Sequence, residues 1–464
     1  MLILIVLMAN VTVDRKFRVK ECTALYSTWR SVMIIRIPRV NTCSPFQGPS
    51  YICDLCLSIH LYSTPLTVYP QDRDLTWECS TSSGYFTFSG PIGSSDIQTR
   101  LNGTAVLTNH AVTIQQNSPD SGLMWKGGCI PGELTSLGAQ QQQRMGQDLH
   151  KIYIDQWKLL PATFDPNTLR LRSTDVWRTK QSAENLMIGL YGQDALERGC
   201  APSVCQIQIL PEEIDYMTMN TNRCPRIDIL DEDINRTSKV LEQLRWTHGA
   251  FRKDVNRLIN KDRDLGFDGL IDAILPRICH GLPLQCEEAP INQSSPRCVT
   301  RKMAERCLSV ASLENAETRR DAQDVREMLQ LGIGPLAKDI RQNLLKAKNG
   351  ESAPFLVFSG HDTTLIPLLG MLGSTDMRWP PYASNLLFEV WSPPSKEYFV
   401  RVLYNGRVVK TTSNWCDFEW CSLDTFIEYL GQFIVDDLDA KCKTTVPQRF
   451  FERQERTASL RHSR

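Results

Sequence analysis

Residues 355–373 constrain this chain more than any other stretch. Phe355-Leu-Val-Phe-Ser-Gly-His361-Asp362-Thr-Thr is followed by Leu365-Ile-Pro-Leu-Leu-Gly-Met-Leu-Gly373. The apolar run Phe355 to Phe358 has the length and composition of a buried strand, Ser359 and Gly360 interrupt it, and helical spacing resumes at Leu365. His361 and Asp362 therefore stand where a strand hands over to a helix. At the carboxyl edge of an open α/β sheet such a junction offers unpaired helix N–H groups that favour anions. Pro367 is expected in the first helical turn, where its missing N–H costs little. A polar pair that merely caps a helix accounts for the two residues without any function. They equally suit a site in which an imidazole donates to a phosphate oxygen and a carboxylic acid protonates a leaving oxygen.

Elsewhere the pattern is α/β. Leu137, Met145, Leu149 and Ile152 recur at helical intervals after Thr135, which predicts a helix over 136–155 with Thr135 as its N-cap and the run Gln140 to Gln143 on its surface. Leu169 to Leu171 reads as a short strand leading into Arg172-Ser-Thr-Asp175, and Arg178 to Ala183 opens another helix. Arg172, at the strand end, can hold a phosphate through its planar fork or pair with Asp175 or a nearby acid. Between Asp231 and Gly350 charged and apolar residues interleave as in a helical insertion, which would wall one side of the sheet edge; His248 and His280 within it are expected to be structural or surface residues. Leu386 to Trp391 and Tyr398 to Tyr404 read as strands about a Pro393-Pro394 turn, and Thr425 to Val435 as a final helix.

A chain of 464 residues can bury a sizeable core, and its Lys+Arg and Asp+Glu totals are both 52, so no global field points to nucleic acid. Its 16 cysteines, scattered without repeated metal spacing, suit an oxidising compartment. Cys53-Asp-Leu-Cys56 has no second pair and is read as a disulfide or an accident, not zinc. Acceptor sequons at Asn10, Asn102, Asn235 and Asn292 agree with secretory passage. Leu2 to Met8 is apolar and of signal-core length, but no basic residue precedes it and it is too short to span a bilayer. A poor signal peptide, or a chain whose true N-terminal segment is absent, is expected there. No clear transmembrane helix is read elsewhere.

Three blocks resemble the histidine acid phosphatase family: the strand ending in His361-Asp362, the helix-opening Gly132-Glu-Leu-Thr-Ser-Leu-Gly138, and Arg172-Ser-Thr-Asp-Val-Trp-Arg178-Thr-Lys-Gln-Ser-Ala183. Arg378-Trp-Pro-Pro-Tyr-Ala-Ser384 and Val400-Arg-Val-Leu-Tyr-Asn-Gly406 are similar to its 2-phosphoxylose phosphatase branch, which acts in the Golgi on the linkage region of proteoglycans. The likeness covers about Thr64 to Cys442. It implies a three-layer α/β sandwich with a mainly parallel central sheet and a helical insertion at about 225–350, within a domain spanning 61–445. Residues 1–60 then form an atypical N-terminal segment and residues 446–464 a basic tail. The implied reaction is phosphomonoester hydrolysis without metal or cofactor, through a phosphohistidine, on a phosphorylated small molecule or glycan. Arg172 and His361 would bind phosphate and Asp362 would be the acid. The implied compartment is secretory: Golgi lumen, lysosomal or extracellular.

The chain departs from the family at its first signature, Arg-His-Gly-x-Arg-x-Pro. Read back from Thr64-Pro65, the corresponding residues are Ile59, His60, Leu61, Tyr62 and Ser63, so a histidine stands in register while both arginines and the glycine are replaced. A second stretch, Val32-Met-Ile-Ile-Arg36-Ile-Pro-Arg39, has arginines but no histidine. An imidazole attacks phosphorus only where the phosphate charge is neutralised and its oxygens are held in line. Losing two cationic clamps should cost several kcal/mol of transition-state stabilisation, on the order of a thousandfold in rate. Three accounts follow: an enzyme with His60 as nucleophile, a catalytically impaired homologue that binds phosphorylated ligand without turnover, or a mis-predicted first segment.

Overall fold

The computed structural model describes residues 3–9, 63–65, 75–79, 86–89, 104–106, 129, 132–200, 205–259, 264–287, 296–391 and 397–443. Its strands are β1 (Ile3–Ala9), β2 (Thr87–Ser89), β3 (Thr104–Val106), β4 (Leu169–Ser173), β5 (Gln206–Gln208), β6 (Phe355–Gly360), β7 (Asn385–Trp391), β8 (Phe399–Tyr404), β9 (Arg407–Val408) and β10 (Cys421–Ser422). They form one sheet in the order β10-β8-β7-β1-β6-β4-β5-β2-β3, with β9 paired to β8. The centre, β1-β6-β4-β5-β2, is parallel. The flanking strands β7, β8, β10 and β3 are antiparallel.

The helices in chain order are α1 (Ser136–Leu149), α2 (Trp177–Tyr191), α3 (Gln193–Gly199), α4 (Arg226–Thr237), α5 (Lys239–Ile259), α6 (Phe267–His280), α7 (Arg301–Ala316), α8 (Val325–Gly332), α9 (Gly334–Asn349), α10 (Asp362–Met371), α11 (Leu423–Gly431) and α12 (Leu438–Cys442). The run α4 to α9 lies between β5 and β6 in the chain.

β6 is buried along its whole length, which is why it reads as a continuous apolar run. Its side chains alternate between two cores. Phe355 and Val357 join Leu171 of β4, Ile207 of β5, and Met145, Leu186 and Leu190 of α1 and α2. Leu356 and Phe358 join Phe388 of β7 and residues of α4 and α8 to α11, among them Ile227, Met328, Ile340, Leu368 and Phe426. Helices thus cover both faces, giving the three layers. A third core, with Val255, Leu258, Leu270, Ile274 and Leu308, belongs to α5, α6 and α7.

On one face α1 and α2 approach backbone to backbone. A Cβ on Gly146 would lie 2.2 Å from the Leu186 carbonyl oxygen, and one on Gly189 would lie 2.0 Å from that of Gln143. Only glycine fits at these crossings.

Several expectations are corrected. Ile3–Ala9, which overlaps the apolar run Leu2 to Met8, forms β1, a strand between β6 and β7. Gln141 and Gln142 are not on the surface of α1 but buried, while Gln143 turns to α2, its Nε2 donating to Asn185 Oδ1 at 2.8 Å. Thr135 does cap α1, accepting from Gly138 N, but the helix ends at Leu149 and continues as a π-helical turn, His150–Gln156. α10 begins at Asp362, so Pro367 sits in the second turn; the carbonyl it leaves without an N–H is that of the exposed Thr363. The last long helix ends at Gly431 instead of Val435. His280 is structural, its Nδ1 meeting the Pro276 carbonyl at 2.8 Å and its Nε2 the Thr135 hydroxyl at 3.1 Å.

Disulfides join Cys79–Cys129, Cys200–Cys205, Cys224–Cys442, Cys286–Cys298 and Cys416–Cys421. Such cross-linking fits a non-cytosolic protein. Cys224–Cys442 closes a loop of 218 residues and ties the turn before α4 to α12, worth about 5 kcal/mol in a chain-entropy account. No helix among the described residues is long and apolar enough to cross a membrane. Asn235 is exposed on α4. Asn10, Asn102, Asn292, the Cys53–Cys56 pair, the Pro393-Pro394 turn and residues 446–464 lie outside the described residues.

Candidate active site

The carboxyl ends of β4 and β6 set the site's geometry. Their register pairs Leu171 with Val357, Arg172 with Phe358 and Ser173 with Ser359. Residues directly opposite one another point to the same face, and successive residues to opposite faces. Arg172 therefore shares the face of Phe358, toward the α8–α11 layer. Ser359 faces α2, where its hydroxyl donates to the Thr179 carbonyl at 2.7 Å. Two residues further on, His361 faces α2 again.

On the first face Arg172 is buried, and its guanidinium is committed. Nη2 donates to Asp215 Oδ1 at 2.8 Å, Nη1 donates to the Ser173 carbonyl, and the group lies 5.4 Å from the Tyr216 ring centroid. Asp215 Oδ1 also accepts from Met217 N at 2.9 Å. Burial pushes the Asp215 carboxyl above its usual range, against the pull of Arg172. Tyr216 donates to Asp339 Oδ2 at 2.9 Å, and burial followed by Asp339 pushes its phenol up to about 12.

The second face gathers His361, Arg178 and Asp362. His361 Nε2 lies 2.9 Å from Thr174 Oγ1, and Arg178 Nη2 lies 3.3 Å from His361 Nδ1. Burial first, and then the Arg178 charge, push the imidazole down to about 3, so it is neutral at mildly acid pH. Asp362 is the first residue of α10, and its Oδ1 accepts from Thr363 N at 2.7 Å. Burial raises its carboxyl above the ordinary carboxylate range; the Thr363 N–H and Arg178 oppose the shift, and Asp268 adds to it. Arg178 is lowered by burial and supported by the charges of Asp362, Asp272 and Tyr382. Asp268 and Asp272 are one turn apart on α6, so the helical insertion closes one side of the rim.

The structure thus brings His361 and Asp362 together, but with Arg178 and not with Arg172. Arg172 pairs with Asp215, while Asp175, its expected acid, takes Lys180 Nζ at 2.6 Å. Arg178 is not among the residues the sequence singles out, which favours Arg172 at the strand end. The position of Arg178 in the first turn of α2, at a sheet rim, was the available signal. His60 lies outside the described residues, as does the stretch after Ala9, the last residue of β1, which pairs with Gly360. Nearby Thr64 is anchored, its N donating to the Glu133 carbonyl at 2.9 Å while Gly132 N donates to the Pro65 carbonyl at 3.1 Å. Leu134 beside them packs with Ala383 and Tyr382.

The family model for the histidine phosphatase superfamily, branch 2, matches residues 94–405. The chain belongs to that superfamily. Counting factor 60 of Dictyostelium discoideum is 28% identical over 323 residues, 69% of this chain and 73% of that protein. Human lysophosphatidic acid phosphatase type 6 is 27% identical over 336 residues, 69% of this chain and 71% of that one. Human 2-phosphoxylose phosphatase 1 is 28% identical over 295 residues, 62% of this chain and 58% of that one. Among solved structures the apo phytase of Hafnia alvei is 16% identical, with a TM-score of 0.49 over 81% of this chain and 100% of that chain. This histidine phosphatase lacks an Arg-His-Gly-x-Arg-x-Pro sequence, and after Ala9 it reads Asn10-Val11-Thr12.

Proposed function

We propose that this rim binds phosphomonoesters as an acid-phosphatase-type site, with Arg178 donating to the phosphate oxygens, His361 presenting its Nδ1 edge to the phosphate and Asp362 giving a proton to the leaving oxygen. The observation that supports this most is the convergence of a guanidinium, a neutral imidazole and a carboxyl of raised pKa at the ends of two adjacent parallel strands. Below about pH 6 a phosphomonoester retains one P–OH. That hydroxyl can donate to Nδ1 while the charged oxygens take Arg178. The imidazole then accepts, instead of donating as expected from the sequence. Burial raises the Asp362 carboxyl, which favours the protonated form a general acid needs.

His60 is the candidate nucleophile, four residues before the anchored Thr64, and the intermediate would be a phosphohistidine. Without the two arginines of the first signature, turnover should be slower on the order of a thousandfold, so binding outlasts catalysis. Arg172 supports the rim from behind by holding Asp215. The named activities of the relatives suggest a phosphorylated glycan such as 2-phosphoxylose as substrate, or a phospholipid monoester. The disulfides and the exposed Asn235 sequon support a glycoprotein of the Golgi lumen, lysosome or extracellular space.

Titration with inorganic phosphate and vanadate at acid pH, beside an aryl phosphate assay, tests this. Saturable binding with weak or no hydrolysis is expected. No binding overturns the site, and burst kinetics abolished in His60→Ala overturn the loss of catalytic power.

A further inference from the structure

His361 is held by a chain of hydroxyls whose direction the donor inventory settles. A guanidinium has only N–H groups and no acceptor, so the 3.3 Å contact between Arg178 Nη2 and His361 Nδ1 is a hydrogen bond only if Nδ1 carries the lone pair. In a neutral imidazole the proton is then on Nε2, which donates to Thr174 Oγ1 at 2.9 Å. The Thr174 hydroxyl, having accepted, donates to Thr179 Oγ1 at 2.8 Å, and Thr179 donates to the Val176 carbonyl at 2.8 Å. Ser173 Oγ lies 3.0 Å from Thr179 Oγ1 and 2.9 Å from the Thr174 carbonyl and can donate to either. The direction is set at the ring and carried through Thr174, and the chain ends on a backbone carbonyl, that of Val176 or of Thr174 at 3.2 Å.

We propose that Thr174 and Thr179 are positioning residues that lock His361 in its Nε2–H tautomer, so that the Nδ1 lone pair, which accepts from Arg178, is passed to a phosphate P–OH when the guanidinium turns to the charged oxygens. The inference rests on reading this rim as a phosphate site. Both threonines are buried, so they act through the ring. The tautomer and the ligand are nonetheless separate observables.

Two-bond proton–nitrogen spectra of the full-length chain, labelled with nitrogen-15, read the tautomer directly. The wild-type His361 ring should show a pyrrole-type Nε2 and a pyridine-type Nδ1. Thr174→Val removes the acceptor and should move both signals toward averaged positions while phosphate affinity falls about tenfold. Thr174→Ser restores the hydroxyl and should keep the wild-type pattern with affinity within about twofold. Thr179→Val should broaden the same signals without touching the ring. A wild-type Nδ1–H pattern overturns the inference, as does a folded Thr174→Val chain with unchanged ring signals. The expected pattern in a wild-type chain that does not bind phosphate would sink the site reading and support the lock.

Discussion

Arg172 and Arg178 belong to one twelve-residue block, yet they serve opposite faces of the sheet rim. Arg172, on β4, follows the strand's alternation into the α8–α11 layer, where Asp215 and the Ser173 carbonyl occupy its fork. Arg178, on the first turn of α2, turns back over the rim to a neutral imidazole. A buried cation already paired with a buried carboxylate has little charge left for a ligand, and separating the pair is costly. A desolvated cation whose hydrogen bond goes to a neutral ring gains from an arriving anion. What separates structural Arg172 from Arg178, the proposed binding arginine, is the partner each faces, which depends on side-chain direction more than on sequence proximity to a strand end.

The largest expected effect tests the structural half of this contrast. Arg172→Ala should cost about 3–5 kcal/mol of stability, seen as a lower denaturation midpoint, because Asp215 is left buried without its cation. Arg172→Ala combined with Asp215→Asn should recover part of the loss; no recovery would break the assignment.

His361→Gln tests the other face through the pH dependence of stability. Burial holds the folded imidazole down to about 3, below its ordinary 6.5, so between those values the unfolded chain binds more protons. Stability should therefore rise with pH across that window and be complete above it, by a few kcal/mol. Denaturant midpoints measured at successive pH values should show a shallower acid limb in His361→Gln. An unchanged limb would mean that the ring is not held neutral.

Asp362→Asn should act on the alkaline side. As pH rises through the raised Asp362 value, a carboxylate appears beside the bound anion, and wild-type phosphate affinity should fall by about tenfold more than in Asp362→Asn. Parallel pH profiles would remove Asp362 from the site. The smallest effect, about 1 kcal/mol, is that of Tyr216→Phe, which loses the bond to Asp339 behind Arg172. Its phosphate affinity should not change, and a clear loss would blur the two faces.

β6, the strand–helix junction at His361 and the cap at Thr135 were legible because each is a local pattern: an unbroken apolar run, a breaker pair, a hydroxyl before a helix. The direction of Arg178 was not. It depends on how α2 lies, and that is set by Gly146 and Gly189 letting two helix backbones meet. The partner of Arg172 was illegible because Asp215 is 43 residues away. β1 was hidden for the same reason, since Leu4 pairs with Phe355 across most of the chain and a short apolar segment carries no mark of its neighbours.

Calorimetric titration of inorganic phosphate at pH 5 into wild type, Arg178→Ala and Arg172→Ala tests the central claim most directly. The account predicts that Arg178→Ala loses about 30-fold or more in affinity, while folded Arg172→Ala stays within about threefold of wild type. The reverse order would contradict it and return the phosphate to the β4 arginine.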